Sequence, residues 1–202
     1  MLIMRGGDIL SKTEYNNFGQ KLAFHTAPTL LGIKCASLVS LSSAEFDLDF
    51  HTQYFNRRAA AKGLKSRILC SCNNRALMLV YHEKLLKKRL SDNAVRSVLA
   101  EYGYSENFSL EECLDRLSVR IRESESFPHE IGIFLGYPVE DVVGFIENKG
   151  ENFKLCGAWK VYGSVENAKR TFFNYVKCRA FLCNKLNDDL ENCRQLGKAL
   201  SE

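Results

Sequence analysis

Two separate stretches carry the side chains best suited to chemistry. The first is His25-Thr-Ala-Pro-Thr-Leu-Leu-Gly-Ile-Lys34. Pro28 and Gly32 predict an irregular loop leading into a strand, and loops on a rigid scaffold commonly carry binding groups. His25, Thr29 and Lys34, with Thr26, could hold an anionic group such as a carboxylate or phosphate. The alternative is a structural turn with Lys34 in solvent. The second stretch is Phe127-Pro-His-Glu-Ile-Gly-Ile-Phe-Leu-Gly-Tyr-Pro138. Its candidates are His129, Glu130 and Tyr137. Neighbours along a helix or strand do not face each other, so His129 and Glu130 are not a ready acid–base pair. A structural, hydrogen-bonded histidine is the plainer reading of His129.

A third group is Cys70 and Cys72. On one strand their thiols share a face with Cα atoms ~7 Å apart, too far for an easy disulfide. They could supply two metal ligands, with Cys35, His25 or His82 completing the set. Arg75 would sit opposite Cys72 and favour its thiolate. Buried, inert cysteine is the alternative. The eight cysteines form no zinc-ribbon or disulfide framework.

The elements that must position these groups follow from periodicity and caps. Residues 12–24 predict a helix with Tyr15, Phe18 and Leu22 on one stripe, stopped by Pro28. A strand runs from Cys35 to Leu41. Ser42 and Glu45 form a capping box for a helix to about Lys62, closed by Gly63. Residues 67–72 and 75–81 read as a hairpin joined at Asn73-Asn74. Helices follow over 83–102 and 110–123, the second with a Ser109–Glu112 capping box. The basic run Lys84, Lys87, Lys88, Arg89 reads as a solvated face. A strand covers 153–162, with Trp159 and Val161 on one side. Lys160 and Tyr162 occupy the other, at a pocket rim or the surface. Ser164 caps a last helix with Ala168, Phe172, Tyr175, Val176, Cys183, Leu186 and Leu190 along its buried side, and Gly197 past its end.

The fold class is therefore α+β: one globular domain over 1–202, with a small, mostly antiparallel sheet of about four strands covered by many helices. For residues 128–149 helix and strand compete, and boundary signals favour a helix–turn–helix-like corner. Pro128 would occupy the first turn, Gly136 the left-handed position, and Val139, Val142, Val143 and Ile146 the buried face of the second helix. A DNA-reading role fits poorly. Glu140, Asp141 and Glu147 face a single Lys149 there, whereas DNA readers bring cations. A phosphate cradle fails too, since Pro138 removes an N–H and acids occupy the positive helix end.

The chain's 202 residues are 46% hydrophobic and 26% charged, with net charge +4. No apolar run approaches the ~20 residues of a membrane helix. The first residues do not resemble a secretory signal, so a cytoplasmic protein with reduced thiols is expected.

Taken together, "HTAPTLLGIK", "LMLVYHEKLL", "FPHEIGIFLGYPVEDVVGFI" and "GAWKVYG" resemble a family of clostridia and related anaerobes, domain of unknown function 3793, from about Phe24 to the last helix. The resemblance supplies no activity, cofactor or catalytic residue. It implies a link to iron or redox metabolism. The leading expectation is an accessory protein that binds a small ligand, cofactor or protein partner between the His25–Lys34 and His129–Tyr137 segments. The second is a metal- or thiol-dependent enzyme using Cys70 and Cys72, and the third a DNA-binding regulator.

Overall fold

The computed structural model describes residues 3–4, 9–10, 12–124 and 126–185. A short antiparallel pair, β1 (Ile3–Met4) and β2 (Ile9–Leu10), precedes helix α1 (Lys12–Leu30). The central sheet has three antiparallel strands, β3 (Ala36–Ser42), β4 (Leu64–Cys72) and β5 (Arg75–His82), in the order β3-β5-β4. Helix α2 (Leu48–Ala59) lies between β3 and β4. Beyond the sheet come α3 (Glu83–Leu90), α4 (Asn93–Ala100), α5 (Leu110–Glu123), α6 (Ile131–Phe134) and α7 (Val139–Glu147). A second hairpin, β6 (Leu155–Cys156) and β7 (Lys160–Val161), leads to the long α8 (Val165–Lys185). The expected α+β class with a small antiparallel sheet holds. No helix among the described residues is long and apolar enough to cross a membrane.

β5 reads Ala-Leu-Met-Leu-Val-Tyr because it is covered on both faces. Ala76, Met78 and Val80 join Val39 and Leu41 under Phe18 and Leu22 of α1 and Leu48 of α2. Leu79 and Tyr81 join Leu69 under the helices that follow, meeting Leu86, Leu114, Leu117, Ile133 and Phe134. A bulge between Ile68 and Cys70 lets β4 keep both sets of contacts. A third cluster, Trp159, Val161, Ala168, Phe172 and Tyr175, ties the β6–β7 hairpin to α8, which runs along α1. Half-buried Tyr137 touches both the second and third clusters.

Several predicted boundaries move. α1 continues through Pro28 to Leu30. Proline removes one helical donor, but it sits in the last turn. Thr26, Ala27, Pro28 and Thr29 are all buried, and the Thr29 and Ser37 hydroxyls bond at 2.8 Å. Packing on β3 outweighs one missing bond, and Gly32 (φ +71°) then ends the turn. The expected loop thus shrinks to residues 31–35. Ser42 belongs to β3 rather than to a capping box. Asp47 caps α2 by accepting from Phe50 N at 2.9 Å, and Glu45 pairs with Lys21. The helix predicted over 83–102 is two helices, because Asp92 accepts from the amides of Ala94 and Val95 and starts a new one. The strand predicted over 153–162 folds back as the β6–β7 hairpin. Asn73 (φ 49°) and Asn74 (φ 60°) make the expected tight turn, and the Ser109–Glu112 capping box is present. Leu186, Leu190 and Gly197 lie outside the described residues.

Candidate functional site

The corner around 128–149 is a helix–turn–helix in miniature. α6 is a single turn, Gly136 (φ +75°) takes the left-handed position, and α7 follows Pro138. Gly132 is there for clearance: a Cβ on it would lie 2.9 Å from Val142 and 3.2 Å from Tyr137. A Cβ on Gly136 would stand 2.8 Å from Cys35 Sγ, and that thiol donates to the Phe134 carbonyl at 3.3 Å. The turn after α1 therefore does meet the corner, as expected, but through residues 34 and 35.

Lys34 makes the closest functional link. Its ammonium lies 5.2 Å from the Tyr137 ring centroid and 5.5 Å from that of Tyr175. Tyr137 in turn stacks on Trp159, with centroids 4.9 Å apart. Burial, assisted by Arg179, lowers the Lys34 pKa to about 8. Burial raises the Cys35 thiol pKa, against the pull of Arg89 and Lys34. Arg89, read from sequence as part of a solvated face, instead turns inward and donates to the Tyr137 carbonyl.

Beneath the corner opens a cleft of about 320 Å³. Its walls include Phe127, His129, Tyr137, Phe145, Trp159 and Lys160. Asp141 anchors one side. It is 3% exposed, and its carboxylate accepts from Trp159 Nε1, Tyr162 N and Gly163 N, each at 2.7 Å. Those three bonds fix the hairpin against α7 and hold the indole in place. Among the described residues the exposed His129 imidazole makes no hydrogen bond, and its ring meets Phe145 edge-on at 4.9 Å. Lys160 Nζ donates to the Gly150 carbonyl at 2.7 Å, which leaves two of its three donors for a ligand.

The remaining candidates divide. His25 stands at the surface beside Phe24, and partial desolvation, then Arg179 and Lys21, lower its pKa. His25 is not among the described residues that line the cleft beside His129. Thr29 is buried against Ser37. Glu130 points away from its neighbour His129. It is fully buried and accepts from Arg120 Nε at 2.9 Å. Cys70 and Cys72 share a face as expected, opposite Leu77 and Arg75, and both are free thiols. The Arg75 guanidinium, however, reaches Ser40 on β3. Among the described residues no three His, Cys, Asp or Glu side chains come together as a metal site.

Sequence reading missed Asp141, Arg89, Phe127 and Phe145. Asp141 carried a usable signal. It stands among the apolar positions of α7, one residue before Val142, where a carboxylate needs buried donors.

Fold and cleft together define an α+β protein in which a glycine-tightened helical corner and a small hairpin frame an aromatic cleft. The chain belongs to the family described as protein of unknown function (DUF3793), whose model matches residues 22–196. No curated protein and no solved structure matches it.

Proposed function

We propose that the protein binds a small planar ligand carrying an acidic group, seated in the cleft beneath the 128–149 corner. One observation carries this reading: aromatic walls at a site where His129 and Lys160 retain unused polar capacity, beside an indole held by a buried carboxylate. Ligand sites combine apolar walls with a few fixed polar groups in this way. Phe127, Phe145 and Trp159 would receive the ring, while His129 and Lys160 would receive the acid. Lys34, set against Tyr137, adds positive charge to the same neighbourhood. The three bonds to Asp141 leave that carboxylate without a role toward the ligand.

Trp159 is the single tryptophan of the chain, so its fluorescence reports on this cleft alone. Titration with benzoate, nicotinate, indole-3-carboxylate and flavin mononucleotide is expected to quench or shift that emission for at least one probe. His129→Ala and Lys160→Met should each weaken the effect several-fold, and an uncharged amide analogue should bind less well than its acid. If none of these probes alters Trp159 emission at millimolar concentration, the proposal fails.

A further inference from the structure

A second cavity lies on the opposite side of the sheet, between α1 and α2, with Leu182 of α8 at its edge. It is a groove of about 620 Å³, within the range of small-ligand sites. Phe18, Leu22, Leu30, Tyr54 and Phe55 supply most of its apolar lining. Among the described residues the charged side chains that line it are Arg58 and Lys62, both exposed, and no carboxylate does. Buried His51 closes the floor. Its ring stacks on Phe18 at 4.0 Å, and its Nε2 is engaged with Glu14 at 3.2 Å.

Gly19 gives the second, independent observation. It lies inside α1 and lines this groove. Glycine within a helix is destabilising by roughly 0.5–1 kcal/mol relative to alanine. Elsewhere in this fold the glycines at 132, 136, 144 and 157 are explained by neighbours that a Cβ would strike. A Cβ on Gly19 would meet nothing within 4 Å, and its backbone is not left-handed. Among the described residues no neighbour asks for glycine here. What the missing side chain does is deepen the groove and let an occupant reach the helix backbone.

We infer that this groove binds a long-chain amphiphile with an anionic head group. The chain lies over Gly19 between Phe18, Leu22 and Leu30, and the carboxylate or phosphate meets Arg58 and Lys62 at the mouth. The apolar lining selects the chain, and Arg58 and Lys62 select the sign of the head.

Calorimetric titration of the full chain with myristate and with dodecyl phosphate, both below their micelle concentrations, tests this. Dodecyltrimethylammonium is the control of opposite charge. Binding of at least one anionic amphiphile is expected, with the cationic one at least tenfold weaker, and the two anions tell a carboxylate head from a phosphate head. Gly19→Leu should abolish binding while leaving the urea midpoint unchanged or higher, since the new side chain enters open space. Arg58→Ala with Lys62→Ala should weaken the anions five- to tenfold and leave dodecanol unchanged. The inference is overturned by absence of anion binding, by binding that ignores both sets of substitutions, or by loss of fold in Gly19→Leu. It is also overturned if the wild-type chain sediments as a dimer that Gly19→Leu dissociates, because the groove then holds a second copy. Trp159 emission should not respond to these amphiphiles, which keeps the outcome separate from that for the cleft under the corner.

Discussion

Asp141→Asn is the sharpest probe of how the cleft is built. The native carboxylate takes three donors at 2.7 Å in a buried setting, two of them backbone amides and one the indole of Trp159. An asparagine can keep its oxygen toward Tyr162 N and Gly163 N, but its NH₂ then faces Trp159 Nε1–H, donor against donor. The change removes one charge-assisted bond, worth about 1.5–3 kcal/mol, and leaves a buried donor unmet at about 1–3 kcal/mol. We expect a net loss of about 3 kcal/mol, a large part of the roughly 5–15 kcal/mol that holds a domain. At roughly 2–4 °C per kcal/mol for a chain of this size, the melting temperature should fall by about 6–12 °C. Urea unfolding followed by far-ultraviolet circular dichroism measures the loss. Trp159→Phe removes the opposing donor, so in that background Asp141→Asn should cost about 1–2 kcal/mol less. A loss under about 0.5 kcal/mol for the single change, or strict additivity of the pair, would refute the role assigned to the carboxylate.

Other outcomes follow from the same contacts. Arg120→Ala strands Glu130, whose second oxygen already lacks a hydrogen bond among the described residues, and should cost about 3–5 kcal/mol in urea unfolding. Replacing both partners by apolar residues should cost clearly less than Arg120→Ala alone. Lys34 has its folded pKa lowered to about 8, below the unfolded value of about 10.4. Between those two values the unfolded chain holds more protons, so wild type should gain stability relative to Lys34→Met as pH rises from 8 to 10.4. Parallel denaturation curves across that range show it, and a flat difference refutes it. Asp92→Ala removes the acceptor for two amides at the start of α4 and should lower stability by about 1 kcal/mol in the same assay.

Local signals carried much of this fold. The Asn73–Asn74 turn, the Ser109 capping box and the Gly136 corner depend on backbone chemistry within a few residues. So do the apolar run of β5 from Ala76 to Tyr81 and the inward pairing of Trp159 with Val161. Each could be read directly. Tertiary packing decided the rest. Pro28 stays helical because buried neighbours outweigh one absent N–H. Arg89 leaves a run of solvated lysines because the Tyr137 carbonyl lies within its reach. Asp141 looked like a helix-start acid until the hairpin brought three donors to it. For the candidate site, the residue types Lys34, His129, Tyr137 and Trp159 were visible, but their grouping was not. His25 and Lys34 are nine positions apart, yet Lys34 meets Tyr137, more than a hundred residues away, and His25 does not. A sequence states what each side chain can do over a few ångströms of local backbone. Which side chains meet depends on how β3, the corner and α8 stack, and that stacking is a property of the whole packed core.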